Sequence, residues 1–130
     1  MKNITKRFSV LIPAYNREDC IQQTIDSVLA QTFKDYELIV IDDGSTDGTN
    51  NLLRSYGDKI KLIQQANQGP EVARNLGASQ ANGEYLALLD SDDLFLPFTL
   101  ATYDKVIRAF DSPAVIIGAM KYFKSGQDLP

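Results

Sequence analysis

The feature that most constrains the fold of this sequence is a regular alternation of short apolar runs with longer amphipathic segments. The runs are short enough to be buried strands and comprise Phe8–Ile12, Leu38–Ile41, Ile60–Ile63, Tyr85–Leu89 and Ala114–Gly118. Because strands that alternate with helices pair in parallel through right-handed crossovers, the pattern predicts an α/β fold. We expect an open, mostly parallel sheet with helices on both faces.

Each amphipathic segment carries a signal for where its helix begins. Asn16 is a candidate cap for the first helix, and Ser45 or Thr46 opens a shorter second one. Pro70 suits the first turn of a third helix that runs to about residue 81, and Pro97 begins a fourth. The residues predicted to face the core recur at helical spacing: Ile21, Ile25, Val28, Leu29, Leu52, Leu53, Tyr56, Val72, Ala73, Leu76, Leu100, Tyr103, Val106, Ile107 and Phe110.

Composition removes several classes of chemistry. The 130 residues suit one domain spanning residues 1–130 and contain no histidine, which excludes Ser-His-Asp and Cys-His catalysis and disfavours catalytic zinc. Cys20 is the only cysteine, which fits a reducing compartment. The net charge of −4 argues against a nucleic-acid partner. No apolar run reaches membrane-spanning length and the N-terminus lacks a signal-peptide pattern, so we expect a cytoplasmic location.

Polar residues follow the predicted strands at the points where they end. The first strand runs into residues 13–16, the second into Asp42 and Asp43, and the fourth into residues 90–93. Because the carboxyl ends of parallel strands share one edge, one tyrosine and five carboxylates are expected to gather there. Such a cluster of like charges is costly unless a cation or a hydrogen-bonding ligand compensates it.

The acidic turn after the fourth strand is a candidate metal site. Asp90 and Asp92 lie two residues apart, which places their carboxylates on one side of an extended chain, about 7 Å apart. Oxygen ligands of this kind suit Mg²⁺ or Mn²⁺ bound together with substrate phosphates. The structural alternative is an acidic surface turn.

The acidic turn after the second strand begins like a calcium-binding EF-hand loop at Asp43. The twelfth position of such a loop requires glutamate, but here it is Arg54.

Three further side chains are candidates for nucleotide binding. Tyr15 directly follows the first strand and can stack on a base, and Asp43 can accept a hydrogen bond from a base or a ribose. Arg74 can bind a diphosphate through two hydrogen bonds. Two alternatives stay open: a tyrosine that packs over the end of the sheet, and a solvated helix arginine. The sequence contains neither a P-loop nor a dinucleotide-binding fingerprint.

Taken together, several motifs resemble the family-two glycosyltransferases of the GT-A fold. They follow the order of that family across the chain to about residue 118: Ser9–Arg17, Ser27–Thr32, Ile41–Asp47, Ala73–Gly77 by spacing, Gly83–Tyr85 and Leu89–Asp93. The nucleotide-sugar-binding residues that this resemblance implies are Pro13, Ala14, Tyr15, Asn16, Asp43, Arg74, Asp90 and Ser91. Pro13 and Tyr15 would line the base pocket, and Asp43 would accept a hydrogen bond from uracil.

The resemblance also implies a cofactor and a reaction. Asp90 and Asp92 match the D-x-D motif, with Asp92 the direct ligand of Mn²⁺ or Mg²⁺, Asp90 a second candidate ligand nearer the ribose, and Asp93 behind them. The expected donor is a nucleotide-diphosphate sugar, most often UDP-linked. Its sugar would be transferred with inversion to a hydroxyl of a saccharide or lipid-linked acceptor. Membrane contact is expected only through the acceptor or through regions outside this chain.

The catalytic base of this family lies beyond the D-x-D helix, so we expect it after Pro130. This chain would then be the N-terminal donor-binding portion of a longer glycosyltransferase domain, inactive by itself in transfer. Of the acids after Asp93, Asp104 and Asp111 are expected to be exposed, and Asp128 lies near a chain end.

Two other functions compete with this interpretation. One is a non-catalytic module that binds nucleotide sugars, which turnover with an acceptor would distinguish. The other is a phosphoacceptor receiver domain, which requires an acidic pair after the first strand. Here that strand ends in Pro13, Ala14 and Tyr15, which disfavours the receiver domain.

Overall fold

The computed structural model describes residues 3–118 and 122, and its strands and helices alternate as predicted. The elements are β1 (Lys6–Ala14), α1 (Ile21–Leu29), β2 (Tyr36–Asp42), α2 (Thr49–Arg54), β3 (Lys61–Gln64), α3 (Pro70–Ser79), β4 (Gly83–Leu88) and α4 (Thr99–Ala109). A 3-10 turn over Gly57–Lys59 precedes β3. The sheet has the order β3-β2-β1-β4, and every neighbouring pair is parallel. The predicted open parallel sheet is confirmed.

The two central strands are buried on both faces. On one face, side chains of β1 and β2 pack against Ile25, Leu53 and Leu100, which belong to α1, α2 and α4. On the other face, a smaller cluster of sheet residues packs against Ala73 of α3. Gly77 lets α3 approach closely, since a Cβ there would meet Cδ1 of the β2 residue Ile41 at 2.7 Å. Helices therefore cover both faces of the sheet, as expected.

Residues 114–118, predicted as a fifth strand, do not form one. They pair with no strand in the part of the chain that the structure describes, and Val115 and Ile117 are 74% and 90% exposed. Only Ile116 packs against the larger core cluster. An apolar run becomes a strand only beside a partner strand, and the sequence pattern carries no information on that partner.

Asn16 does not cap α1. This helix begins at Ile21 with Cys20 as its N-cap, while Asn16 adopts a left-handed backbone with φ of 49°. Its side-chain oxygen instead accepts hydrogen bonds from the backbone N–H groups of Thr46 (2.8 Å) and Asp47 (3.3 Å). The turn after β2 is thus used to bind the end of β1. The helix α2 begins later than predicted, at Thr49.

The other helix predictions differ in smaller ways. Pro70 is the first residue of α3 as expected, and α4 begins two residues after Pro97, at Thr99. Val72, predicted to face the core, is 40% exposed, because Ala73 and Gly77 make the buried contacts of α3. Phe110, also predicted to face the core, is 72% exposed and lies directly after the end of α4. Among the described residues, no helix has the length and apolar character needed to cross a bilayer.

Asp104 was expected to be exposed, and it is instead buried in an ion-pair network. Its carboxylate lies 2.9 Å from Nε of Arg7 and 2.8 Å from Nε of Arg108, and Arg7 also pairs with Glu84. Burial alone would raise the pKa of Asp104, but the hydrogen bonds from the two arginines outweigh it and lower the pKa. Asp111 is exposed as predicted, and Asp128 lies outside the described residues.

Candidate functional site

A cavity of about 400 Å³ opens at the carboxyl edge of the sheet. It lies where β1, β2 and β4 end and where α3 begins, which is where parallel sheets bind ligands. All the predicted site residues except Asn16 and Asp93 line it. The lining residues are Pro13, Ala14, Tyr15, Arg17, Asp43, Pro70, Arg74, Asp90, Ser91 and Asp92.

Tyr15 lines this cavity and is exposed. It is the first residue after β1, it is 44% exposed, and it is not among the residues that pack against either core cluster. The alternative of a tyrosine that packs over the sheet end is therefore disfavoured. An exposed ring beside a cavity is available to stack on a planar ligand.

Asp43 is buried at the end of β2 and accepts hydrogen bonds from the segment before α3. One carboxylate oxygen accepts from Nε2 of Gln65 (2.7 Å) and the backbone N–H of Gln68 (2.8 Å). The other accepts from the backbone N–H of Gly69 (3.0 Å) and, at a longer 3.4 Å, from Nδ2 of Asn67. Burial alone would raise the pKa of Asp43, but these hydrogen bonds outweigh it and lower the pKa.

Asp42 and Asn16 shape the site without lining it. The buried carboxylate of Asp42 accepts hydrogen bonds from the backbone N–H of Ser45 (3.0 Å) and from Nδ2 of Asn50 (2.8 Å). Asn16 ties the end of β1 to the same turn through Thr46. Of the five carboxylates expected at this edge, only three therefore line the cavity, namely Asp43, Asp90 and Asp92.

The acidic turn after β4 is exposed and only partly compensated. Asp90 forms an ion pair of 2.6 Å with Arg74, and its side chain is 57% exposed. Asp92 is exposed, and its carboxylate makes no hydrogen bond or ion pair within residues 3–118. Behind it, burial and the neighbouring charges of Asp92 and Asp90 raise the pKa of Asp93. Negative charge is thus concentrated on a side of the cavity where Asp92 has no cationic partner.

This donor set fits a cation whose coordination is completed by a substrate. The described part of the chain contains no cluster of three or more Asp, Glu, Cys or His that could hold a metal by itself. It does place Asp90 and Asp92 in one cavity. Mg²⁺ commonly binds through one or two carboxylates plus substrate phosphates rather than in an all-protein cage. Two carboxylates facing an open cavity fit that mode of binding.

Two lining residues were not predicted as site residues. Arg17 is exposed, and its guanidinium makes no ion pair or hydrogen bond among the described residues. The available signal was a cation two residues after the aromatic residue that directly follows the first strand. Pro70 was recognised only as a helix start, yet the first turn of α3 forms part of the cavity wall.

Comparison with known proteins identifies the family. The sequence model of glycosyl transferase family 2 matches residues 9–129. This chain belongs to glycosyl transferase family 2. An uncharacterised glycosyltransferase of Rickettsia typhi is 39% identical to this family-2 chain over 109 residues, which is 84% of the chain and 34% of the relative. The chain thus spans about a third of the length of that relative, and a smaller part of several others.

Solved structures of similar fold bind nucleotide sugars. S. aureus TarS 1–349 in complex with UDP-GlcNAc has a TM-score of 0.73 and 35% identity, with 79% of this chain and 31% of that one covered. The mannosyltransferase PcManGT from Pyrobaculum calidifontis, in complex with GDP-Man and Mn²⁺, has a TM-score of 0.69 and 27% identity. That match covers 82% of this chain and 34% of the other. These neighbours confirm the GT-A fold that the sequence motifs implied.

Proposed function

We propose that this family-2 chain binds a UDP-sugar together with Mn²⁺ or Mg²⁺ and forms the donor-binding portion of an inverting glycosyltransferase domain. The observation that carries the proposal is the uncompensated carboxylate of Asp92, which shares one cavity with an exposed tyrosine and two arginines. TarS, bound to UDP-GlcNAc, resembles the chain more closely than PcManGT, bound to GDP-Man, which supports uridine as the nucleoside.

Tyr15 and Asp43 are the proposed contacts for the base. The ring of Tyr15 would stack on uracil, and Asp43 would accept a hydrogen bond from the uracil ring N–H. The carboxylate of Asp43 already has four donors, so the incoming N–H would replace the weakest, the 3.4 Å contact from Asn67. Cytosine has a lone pair where uracil has this N–H, and Asp43 would therefore disfavour cytidine nucleotides.

Arg17, Arg74 and Asp92 are the proposed contacts for the diphosphate end. The three lining carboxylates outnumber the two lining arginines, so the cavity would repel a dianionic diphosphate unless a cation accompanied it. Asp92, with Asp90 as a second ligand, would hold Mn²⁺ or Mg²⁺. When bound, the cation would act as a Lewis acid and stabilise the charge that develops on the leaving diphosphate. Arg17 and Arg74 would orient the diphosphate by charge-assisted hydrogen bonds.

Transfer also requires a base that removes the proton of the acceptor hydroxyl. Within the described residues, no acid after Asp93 lines the cavity. Asp104 is held between two arginines, and the exposed Asp111 follows α4. This arrangement supports the proposal that the base comes from sequence beyond this chain. The acceptor would be a saccharide or a lipid-linked saccharide.

The test of this proposal is the metal dependence of UDP binding, measured by calorimetry with Mn²⁺ and with EDTA. Asp92→Ala should abolish most of the gain in UDP affinity that Mn²⁺ produces. In EDTA it should leave the affinity unchanged or raise it slightly, because one carboxylate that repels the diphosphate is removed. Asp35→Ala is the matched control, because Asp35 is exposed and its side chain makes no hydrogen bond among the described residues. Equal UDP affinity with and without EDTA in the unmutated chain would contradict the proposal.

A further inference from the structure

The acidic turn is held in place by side chains of α1. Thr24 is 1% exposed, and its hydroxyl donates a hydrogen bond of 2.9 Å to the backbone carbonyl of Ser91, the residue between Asp90 and Asp92. The thiol of Cys20 lies 3.5 Å from the same carbonyl. Ser91 is itself buried, so water does not readily replace these donors.

The same face of α1 continues to bind the backbone that follows. The hydroxyl of Ser27 accepts a hydrogen bond of 3.1 Å from the N–H of Phe95. Gln31, fully buried just beyond the end of α1, donates 2.6 Å to the carbonyl of Leu96 and accepts 3.0 Å from the N–H of Leu100. We name Thr24, Ser27 and Gln31 the α1 polar strip. Their spacing of three and four residues places them on one side of the helix.

The α1 polar strip contacts the backbone of residues 91–100 rather than the acidic side chains. All four loop atoms it binds are carbonyl oxygens or amide nitrogens of the main chain. Asp92, by contrast, lines the cavity, and its carboxylate makes no hydrogen bond or ion pair among the described residues. Such contacts hold the backbone of the loop in place and leave its carboxylates free of hydrogen bonds from the strip.

We infer that the α1 polar strip positions the metal-binding carboxylate, with Thr24 as the positioning residue that binds the backbone directly before Asp92. This inference rests on the proposed function, since it assigns the strip a role only in the metal-dependent part of donor binding. Without the Thr24 hydroxyl, the buried Ser91 carbonyl loses its strongest donor, and the loop must shift to regain one. Asp92 is the next residue along and shifts with it.

The base contacts do not depend on this strip. Tyr15 and Asp43 lie at the ends of β1 and β2, and Asp43 is held by residues 65–69 instead. A disturbed strip should therefore weaken the metal-dependent affinity for UDP and leave the metal-independent affinity intact. A side chain needed only for folding would not produce this split.

The experiment compares Thr24→Val, which has nearly the same shape but no hydroxyl, with Thr24→Ser, which keeps the hydroxyl. UDP affinity is measured by calorimetry with Mn²⁺ and with EDTA. In Mn²⁺, Thr24→Val should weaken UDP binding roughly tenfold, because the Ser91 carbonyl keeps only the 3.5 Å thiol contact and the loop that carries Asp92 shifts. Thr24→Ser should restore most of the affinity. In EDTA, the three chains should bind alike. Ile25→Val is the control for lost packing on the same helix, because Ile25 belongs to the core cluster.

A second variant keeps the inference testable if Thr24→Val does not fold. Ser27→Ala removes the acceptor for the Phe95 N–H, and it should lower the Mn²⁺-dependent gain by a smaller factor without changing affinity in EDTA. The inference is overturned if Thr24→Val or Ser27→Ala keeps the full Mn²⁺ gain, or loses affinity equally in both conditions. An unmutated chain with no Mn²⁺ gain would contradict the proposed function itself and remove the basis of the inference.

Discussion

The two sides of the cavity are organised in opposite ways. On the side formed by β1 and β2, Asp43 is 3% exposed and its carboxylate has four donors from the chain itself. On the side formed by the turn after β4, Asp92 is exposed and unpaired among the described residues. We call the first the base side, after the nucleotide base that we propose it binds, and the second the acidic side. Under the proposed function, the base side is complete before a ligand arrives, and the metal and diphosphate complete the acidic side.

The proposal that the catalytic base for transfer comes from sequence beyond this chain carries the largest expected effect. The 130-residue chain with Mn²⁺ and a panel of UDP-sugars should form acceptor product at a rate lower by roughly 10²–10⁴-fold than an intact enzyme, the usual contribution of general-base help. Slow hydrolysis of the donor by water should remain. Product formation at ordinary enzymatic rates would show that a base is already present in this chain.

Asp43→Ala should disrupt the base side and lower the stability of the chain. The N–H groups of Gln68 and Gly69 would lose their charged acceptor, at a cost of about 1–3 kcal/mol in the free energy of unfolding, measured with urea. The same variant should lose preference for UDP over CDP. Asp35→Ala should change neither quantity. If Asp43→Ala is as stable as the unmutated chain, the base side is not organised by this carboxylate.

Arg17→Ala should weaken only the diphosphate end of the ligand. Because Arg17 has no partner among the described residues, its removal leaves no orphaned charge in the protein and should not lower stability. The affinity for UDP in Mn²⁺ should fall about tenfold, as expected for one charge-assisted hydrogen bond, while uridine binds unchanged. Arg54→Ala, at an exposed arginine of α2 outside the cavity, is the matched control. Equal loss of uridine and UDP affinity would place Arg17 near the base instead.

The smallest expected effect concerns pH. The folded state lowers the pKa of Asp43, so its stabilising contribution is fully present above the pKa that Asp43 has in the unfolded chain. That contribution is lost as the pH falls through the depressed pKa of the folded state. Urea unfolding at mildly acidic and strongly acidic pH should therefore show a loss of stability that is smaller in Asp43→Asn. An identical acid dependence in this variant would contradict the role of the Asp43 hydrogen bonds.

Local sequence signals were sufficient for the parts of the fold that depend on near neighbours. Four of the five predicted strands, the start of α3 at Pro70 and the acidic turns at the strand ends were recognisable within a few residues. Because parallel strands align their carboxyl ends, these local predictions also placed most of the residues that line the cavity at one edge of the sheet. Fold class and the location of the site followed from periodicity and topology alone.

The errors fall where a residue depends on a distant partner. Asparagine is a common helix cap, but the hydrogen-bond partners of Asn16 lie 30 and 31 residues away in the turn after β2. Asp104 lies off the apolar stripe of its helix, yet Arg7 pairs with it across 97 residues. The donors of Asp43 come from a segment 22 to 26 residues later. Periodicity reports which way a side chain faces in its own element, and not what another element places against it.

The difference between the two sides of the cavity is tested most directly by four affinities of the unmutated chain. Calorimetry would measure uridine and UDP, each in Mn²⁺ and in EDTA. A base side that is complete in advance should bind uridine equally in both conditions, while UDP should gain affinity only in Mn²⁺. Uridine binding that requires Mn²⁺, or UDP binding that is equally tight in EDTA, would contradict the assignment of the metal to the acidic side alone.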